Sequence, residues 1–214
     1  MKYSHIIWDF NGTILDDVGI GIEAINSLLS RRGLKTIDST DEYRKLFCFP
    51  IKDYYMRCGF DFEQDDYEQV LAPEWVAEYN KLEHRSQLCE GVYAALNSFR
   101  DRGIMQSIVS ASLSQTLTRQ VKRLKIQEYF DNIVGCDDFF AYGKTELCRK
   151  FVLDNPDQSF ILVGDSTHDY DVASAAGIDC ALICQGHMDR TTLEKCGCLL
   201  FDNALEFSEY ILTR

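Results

Sequence analysis

From about residue 87 onward the chain alternates between short apolar runs and longer segments with helical periodicity, and this alternation restricts the fold most strongly. The apolar runs are "IMQSIVS" (104–110), "NIVGC" (132–136), "FILVG" (160–164) and "CALIC" (180–184). Helical patterns lie near 91–102, 113–124, 144–154, 170–176 and 203–212. Almost continuously apolar strands that alternate with helices are typical of a parallel sheet with both faces covered. We therefore predict a three-layer α/β fold whose first strand (4–10) joins the same sheet.

Between that first strand and the alternating half, the sequence shows helical patterns and no strand pattern. One helical face collects the apolar side chains of Val18, Ile22, Ile25, Leu28 and Leu29. Gly33 follows two arginines and is a typical helix stop. Further helices are predicted near 39–46, 50–58 and 63–85. We predict that 16–86 form a small all-helical domain, inserted into a core made of 1–15 and 87–214.

The charge balance narrows the classes of partner. Asp and Glu outnumber Lys and Arg by 34 to 22, which gives a net charge of −12 and opposes binding to nucleic acid or anionic lipid. No run is long and apolar enough to cross a membrane. The nine cysteines are an odd number without a preceding secretory signal, so we expect reduced thiols and a cytoplasmic protein.

Polar residues follow the apolar runs at the edge where parallel strands place their ligands. They are Asp9, Asn11 and Thr13 after the first strand, Ser110 and Ser112 after the second, Lys144 at a helix start, and Asp165, Ser166 and Asp169 after "FILVG". Carboxylates, a lysine and hydroxyl groups at one edge suit a hard divalent cation and a phosphate.

Four of these segments carry a family resemblance. "DFNGT" (9–13), "VSAS" (109–112), "YGK" (142–144) and "VGDSTHD" (163–169) resemble, in order and context, the four motifs of the haloacid dehalogenase superfamily. The sequence between the motifs, such as "CEGVYAALNSFRDRGI", is similar to that of the branch that contains phosphoglycolate phosphatases. The resemblance implies a Rossmann-like core, with the helical segment as a cap that closes over the substrate.

The resemblance also implies roles for individual residues. Asp9 would be the nucleophile that takes a phosphoryl group from a small phosphorylated metabolite as an aspartyl phosphate. Ser110 and Thr13, with backbone N–H groups near Gly12 and Ala111, would hold the phosphate oxygens. The expected protein is a monomer or a homodimer.

A Mg²⁺ cofactor is implied in the same way. The carboxylates of Asp9 and Asp165 and the main-chain carbonyl of Asn11 would hold the ion. Lys144 would neutralise charge between nucleophile and substrate, while Asp169 would either support the metal ligands or orient the lysine. Phosphoryl transfer needs this positioning and neutralisation of negative oxygens.

Asn11 departs from the family pattern. Phosphatases of the superfamily carry a second Asp two residues after the nucleophile, which protonates the leaving alkoxide and then activates water. An amide cannot exchange a proton at neutral pH. Because positioned acid–base catalysis contributes about 10²- to 10⁴-fold, we predict a slowed phosphohydrolase. The alternatives are a weakly catalytic or non-catalytic phosphometabolite-binding protein and, ranked lower, a dehalogenase-type hydrolase.

Several of these residues also have ordinary structural interpretations. Asp and Asn beside Gly are common turn formers, and Asp165 can be a helix N-cap. For Ser112 we favour capping of the following helix. Taken alone, Lys144 would be a solvated helix residue.

For other side chains near the predicted site we favour structural roles over functional ones. We interpret His168 as a solvent-facing loop histidine, and we assign no role to His5, His84 and His187. In the helical segment, Lys52, Tyr54 and Tyr55 can reach the site, but a solvated lysine and packing aromatics are the favoured interpretation.

Overall fold

A computed structural model describes residues 2–136 and 143–213. Its first part contains one strand of four residues, a pair of two-residue strands and the helical segment between that pair. The elements are β1 (His5–Trp8), β2 (Leu15–Asp16), α1 (Val18–Arg31), α2 (Thr40–Leu46), α3 (Ile51–Arg57), a π-helix (Tyr67–Leu71), α4 (Ala72–Leu82), a 3₁₀ turn (Glu83–Arg85) and β3 (Gln87–Leu88).

The second part alternates strands and helices, as the apolar runs predict. The elements are α5 (Val92–Asp101), β4 (Met105–Leu113), α6 (Ser114–Arg123), a 3₁₀ turn (Gln127–Tyr129), β5 (Asn132–Cys136), α7 (Lys144–Leu153), β6 (Phe160–Gly164), α8 (Thr167–Ala176), β7 (Asp179–Ile183), α9 (Arg190–Leu193), a 3₁₀ turn (Glu194–Cys196), β8 (Leu199–Phe201) and α10 (Ala204–Leu212).

Six of the strands form one sheet in the order β5-β4-β1-β6-β7-β8, and every neighbouring pair is parallel. β1 lies in the middle, where Trp8 pairs with Ile108 of β4 and with Val163 of β6. The first strand therefore joins the sheet across the helical segment. This arrangement confirms the predicted parallel α/β fold.

Helices cover both faces of the sheet because successive side chains of a strand point in opposite directions. Trp8 packs with Phe99 of α5 and Phe207 of α10 on one face. Ile7 belongs to the cluster on the other face, which includes Val172 of α8. The three-layer prediction is confirmed by these two apolar clusters.

The helical segment buries a cluster of its own, which includes Leu28, Tyr43, Tyr55 and Leu71. At its base, β2 and β3 pair antiparallel, so that its entry and exit lie side by side. A separate apolar cluster supports the predicted division into 1–15 with 87–214 and 16–86, which stays a prediction.

Two helix boundaries differ from the sequence-based prediction. The helix predicted from residue 63 begins only at Tyr67, because the Asp66 side chain accepts the amide of Gln69 and acts as N-cap. The helix predicted from residue 170 begins at Thr167, because Ser166 and Asp169 form a capping box.

Two further expectations from the sequence concern the cysteines and the length of the apolar helices. None of the nine cysteines, all of which lie within the described residues, forms a disulfide. Within residues 2–136 and 143–213, no helix combines the length and the apolar character that a membrane crossing requires.

Candidate active site

The ends of three central strands bring the predicted site residues together. Asp9 directly follows β1, Ser110 lies within β4, and Asp165 directly follows β6. Because these strands are parallel neighbours, the three side chains emerge at the same edge of the sheet. Lys144 and Asp169, in the first turns of α7 and α8, complete the group.

Lys144 lies between two buried carboxylates. Its Nζ donates to Asp169 Oδ1 at 2.6 Å and also to Asp9 Oδ1. The side chain is only 2% exposed, so the interpretation of a solvated helix lysine is wrong. Burial alone would lower the pKa of the lysine, but the neighbouring charges of Asp169 and Asp9 raise that pKa and keep the ammonium charged.

Asp9 and Asp165 are linked through Thr13. The Thr13 hydroxyl lies 3.2 Å from Asp9 Oδ2 and 3.3 Å from Asp165 Oδ1. Burial raises the pKa of Asp9 to about 6, although Lys144 opposes the rise. Burial likewise raises the pKa of Asp165 to about 7, although His187 opposes it. The two carboxylates are therefore held close together with too little positive charge around them.

This arrangement fits a divalent cation. Asp9, Asp165 and Asp169 each offer an oxygen, and these oxygens lie within 4.8 Å of one another. Hard cations such as Mg²⁺ prefer carboxylate oxygens, and a bound cation would relieve the raised pKa values of Asp9 and Asp165. The donor set matches the predicted ion.

Asp169 is better placed to orient Lys144 than to bind metal. One carboxylate oxygen accepts from Lys144 Nζ. The other accepts from the Ser166 hydroxyl at 2.6 Å and from the amides of Asp165 and Ser166. Of the two roles predicted for Asp169, the geometry favours orientation, because both of its oxygens already have donors.

The side chain of Asn11 is fully engaged. Its Nδ2 donates to Asp17 Oδ2 at 2.7 Å and to the Tyr79 hydroxyl at 3.1 Å. Its Oδ1 accepts from the Ser112 hydroxyl at 2.6 Å. The interpretation of Ser112 as a helix cap is wrong, because Leu113 occupies that position and Ser112 donates to Asn11 instead. Asn11 thus connects the sheet edge to the helical segment.

Asp17 and His187 form a buried ion pair beside Asn11. His187 Nε2 lies 3.1 Å from Asp17 Oδ1, and its Nδ1 lies 2.8 Å from the Tyr43 hydroxyl. Burial disfavours the charged imidazole, yet Asp17 outweighs burial and raises the pKa of His187 to about 9. The His187 amide also donates to Asp165 Oδ2 at 2.6 Å. Leaving His187 without a role was wrong, since it contacts the predicted metal ligand.

Gly12 is required by its surroundings rather than by phosphate. Its φ is +73°, and a Cβ at this position would lie 2.3 Å from Asp165 Oδ2. Its amide donates to Asp17 Oδ1 at 2.9 Å and to the Leu15 carbonyl at 2.9 Å. Because this N–H already has acceptors, the geometry argues against the predicted phosphate contact from Gly12. Thr13 likewise faces the carboxylates.

Ser110 and Ala111 do line the open space above Asp9, as their predicted phosphate contacts require. The Ser110 hydroxyl oxygen accepts from the Ser112 amide at 3.1 Å. Tyr142, the first residue of the "YGK" motif, lies outside the described residues.

His168 is not the solvent-facing loop residue that we predicted. It lies in the first turn of α8, half-buried, and its ring stacks on Phe49 with centroids 4.6 Å apart.

Tyr54 and Tyr55 are buried and line the cavity, whereas Lys52 is exposed and its Nζ lies over the Phe62 ring. The aromatic pair and the solvated lysine match their favoured interpretations.

A cavity of about 410 Å³ lies between the sheet edge and the helical segment. Its floor is formed by Asp9, Ser110, Lys144, Asp165 and Asp169. Most of the side chains that the helical segment contributes to the lining are aromatic. Asp9, Lys144 and Asp165 thus face a space that can hold a small molecule.

Comparison with known proteins identifies the family. The sequence profile of the haloacid dehalogenase-like hydrolases matches residues 6–183. The pyrophosphatase PpaX of Halalkalibacterium halodurans is 29% identical over 198 residues, covering 86% of this chain and 84% of that protein. A haloacid dehalogenase-like hydrolase from Streptococcus pneumoniae superposes with a TM-score of 0.82 at 20% identity, covering 98% of this chain and 99% of the other.

A predicted phosphoglycolate phosphatase from Haemophilus somnus 129pt superposes with a TM-score of 0.73 at 17% identity, over 99% of each chain. At these identities the two structures establish likeness of fold. The profile covers most of the sequence, from β1 to β7. The chain therefore belongs to the haloacid dehalogenase-like hydrolase family.

Proposed function

We propose that the protein is a Mg²⁺-dependent phosphohydrolase that acts on a small phosphorylated metabolite through an aspartyl phosphate on Asp9. The observation that carries this proposal is the buried Lys144, held between Asp9 and Asp169 with Asp165 alongside. An ammonium group fixed against a carboxylate at the floor of a cavity suits attack on a phosphate group.

The reaction uses Asp9 twice. A carboxylate oxygen of Asp9 attacks phosphorus, the bond from phosphorus to the leaving oxygen breaks, and the leaving group departs as an oxyanion that takes its proton from solvent. Water then attacks the phosphorus of the aspartyl phosphate, which releases inorganic phosphate and restores Asp9. Lys144 offsets negative charge as nucleophile and phosphate approach, and Ser110 and Ala111 orient the phosphate oxygens.

The metal would be held by Asp9 and Asp165, with the main-chain carbonyl of Asn11 as a further ligand. When bound, Mg²⁺ supplies neutralisation of the phosphate oxygens. Asp169 keeps Lys144 aimed at Asp9 through the hydrogen bonds described above. Thr13 holds the two metal-binding carboxylates in their relative positions.

We further propose that turnover is slow for alkyl phosphates. Asn11 has no exchangeable proton at neutral pH, and its amide is already committed to Asp17, Tyr79 and Ser112. A departing alkoxide therefore lacks the acid that family phosphatases provide. The expected deficit is about 10²- to 10⁴-fold.

The names of the relatives support the reaction class. Pyrophosphatase PpaX and the phosphoglycolate phosphatase both refer to cleavage of a phosphate from a small anionic compound. We take from them phosphate-ester or phosphoanhydride hydrolysis as the class of chemistry, in the phosphoglycolate-phosphatase-like branch.

A second candidate is a phosphometabolite-binding protein with little or no turnover. The saturated hydrogen bonding of Asn11 favours it, because no acid is poised at the leaving group. The same cavity floor would bind phosphate in either case.

Hydrolysis of p-nitrophenyl phosphate separates the two candidates, since nitrophenolate leaves without a proton. We expect Mg²⁺-dependent hydrolysis by the wild type and at least a 10³-fold loss in Asp9→Asn, in line with removal of a nucleophile. Phosphate binding without Asp9-dependent hydrolysis would instead support the binding protein.

A further inference from the structure

The part of the cavity lining that the helical segment contributes consists mainly of aromatic rings. They are Tyr43, Phe47, Phe49, Tyr54, Tyr55, Tyr67, Trp75 and Tyr79. Two of the hydroxyl groups are already engaged by other residues of the cavity lining: Tyr79 donates to Asp17, and Tyr43 contacts His187. This wall therefore offers mainly ring carbon to a bound molecule.

Positive charge is scarce on this wall. Among the described residues that line the cavity, the cations are Lys144 and His187, and no arginine is present. Lys144 is held at the floor by two carboxylates, and His187 is paired with Asp17. Arg44 lies nearby but directs its guanidinium to the carbonyls of Gln185 and Gly186. The sequence of 137–142, DDFFAY, adds no Lys or Arg.

A leaving group with a second negative charge would be poorly served here. It would lie against aromatic carbon and near Asp17, and the two cations among the described lining residues, Lys144 and His187, are already paired with carboxylates. Burying an unpaired charge is costly, whereas an apolar group gains from the same surface. Aromatic pairs add further attraction through ring-to-ring contacts.

We infer that the preferred substrate is a phosphate monoester whose leaving group is uncharged and carries an aromatic ring, rather than pyrophosphate or phosphoglycolate. The inference rests on the proposed function and narrows its substrate class. A phenol leaving group is also consistent with an asparagine at position 11, because a phenol leaves with less need of a proton than an alkyl alcohol does. The volume of about 410 Å³ accommodates a phosphate and a small ring system.

A matched pair of substrates tests the contribution of the aromatic ring separately from the need to protonate the leaving group. 2-Phenylethyl phosphate and ethyl phosphate both release an alkyl alcohol and differ by the ring. With Mg²⁺, we expect kcat/KM to be about 10- to 200-fold higher for the phenylethyl ester, the usual range for an apolar pocket. We expect pyrophosphate and phosphoglycolate to be no better than ethyl phosphate. Equal values for the two esters, or a preference for either anionic substrate, would overturn the inference.

Trp75 supplies the most direct variant. It lines the cavity and stacks on Tyr79 with ring centroids 4.9 Å apart. We expect Trp75→Ala to lower the ratio of kcat/KM for phenylethyl phosphate to that for ethyl phosphate by about tenfold, while Trp75→Phe retains the preference. Phe62→Ala is the matched control, because Phe62 packs in the same helical segment but does not line the cavity. A preference unchanged in Trp75→Ala would count against the aromatic wall.

Binding of non-hydrolysable phosphonates distinguishes failure of this inference from failure of the proposed function. By calorimetry with Mg²⁺, 2-phenylethylphosphonate should bind at least about tenfold more tightly than ethylphosphonate. A binding preference without turnover of any phosphate would refute the hydrolase and keep the aromatic site. Turnover of phosphate esters with equal phosphonate affinities would refute the aromatic site and keep the hydrolase.

Discussion

At the scale of single residues, Asn11 is matched to Asp17. The amide donates to a carboxylate that also accepts from Gly12, Tyr79 and His187, so this buried charge is fully hydrogen bonded. An aspartate at position 11 would place two carboxylates 2.7 Å apart. The departure from the family motif is therefore compensated by its neighbours, which a reading of the motif alone does not reveal.

Asn11→Asp should lower stability by about 1–3 kcal/mol, because it replaces a hydrogen bond between buried groups by repulsion between like charges. The double variant Asn11→Asp with Asp17→Asn restores the donor and should recover most of that loss. Urea unfolding of the three proteins at pH 7 measures it. A fully stable Asn11→Asp single variant would show that the contact with Asp17 is unimportant.

His5 gives a second prediction at this scale. It is completely buried in β1, its Nε2 lies 2.8 Å from the Ser107 hydroxyl, and it packs against Phe151 and Phe160. Burial lowers the pKa of His5 from 6.5 to about 4. The unfolded chain therefore takes up a proton at a higher pH than the folded protein does.

The contribution of His5 to stability is complete above about pH 6.5 and declines as the pH falls toward 4. At pH 5 the loss should be about 2 kcal/mol relative to pH 7. Other groups also titrate, so the informative quantity is the difference between wild type and His5→Phe. If that difference in unfolding free energy is the same at both pH values, His5 does not behave as a buried neutral imidazole.

At the scale of elements, helix α2 fastens the helical segment to the sheet edge. Tyr43 contacts His187, and Arg44 donates to the carbonyls of Gln185 at 2.6 Å and Gly186 at 2.8 Å. These bonds hold the aromatic wall over the floor of the cavity. Loss of these bonds should weaken the handling of substrate, measured as kcat/KM, more than it lowers the stability of the sheet.

Arg44→Ala should reduce kcat/KM by about tenfold, because hydrogen bonds from a charged donor are worth about 1.5–3 kcal/mol and hold the wall in place. The thermal midpoint should change little. Lys45→Ala is the control, since it removes the same charge from an exposed position of the same helix. Equal kinetic effects of the two variants would point to net charge instead of the tether.

Sequence patterns predict elements unevenly, for physical reasons. Buried parallel strands are continuous apolar runs, so β1, β4, β5, β6 and β7 are visible. β8 was not predicted, because three residues beside a Cys-Gly-Cys turn are too short to show a period. Likewise, Asp9, Lys144 and Asp165 could be placed from strand ends, whereas the contacts of His187 could not. They depend on how the helical segment lies on the sheet, and no local pattern encodes that.

At the scale of the whole molecule, a strongly acidic chain with a net charge of −12 concentrates three carboxylates at one sheet edge. Binding of a divalent cation there should stabilise the fold as a whole. At 100 times the dissociation constant a ligand contributes about 2.7 kcal/mol, which corresponds to a rise of roughly 5–10 °C in Tm for a protein of this size.

We therefore expect Mg²⁺ to raise the Tm and chelation to reverse the rise. Asp165→Asn should abolish the response, while Asp101→Asn, which removes an exposed carboxylate that does not line the cavity, should keep it. Differential scanning calorimetry with and without Mg²⁺ measures the effect. An undiminished shift in Asp165→Asn would place the ion elsewhere.

The central claim is covalent catalysis by Asp9 without a proton-transferring partner at position 11. Because Asn11 cannot activate water, breakdown of the aspartyl phosphate should be slower than its formation from an aryl phosphate. Rapid-quench mixing with p-nitrophenyl phosphate and Mg²⁺ tests this, followed by peptide mass spectrometry. We predict a burst of nitrophenol approaching the enzyme concentration and a phosphoryl adduct on the peptide that contains Asp9. Steady turnover without that adduct, retained in Asp9→Asn, would contradict the account.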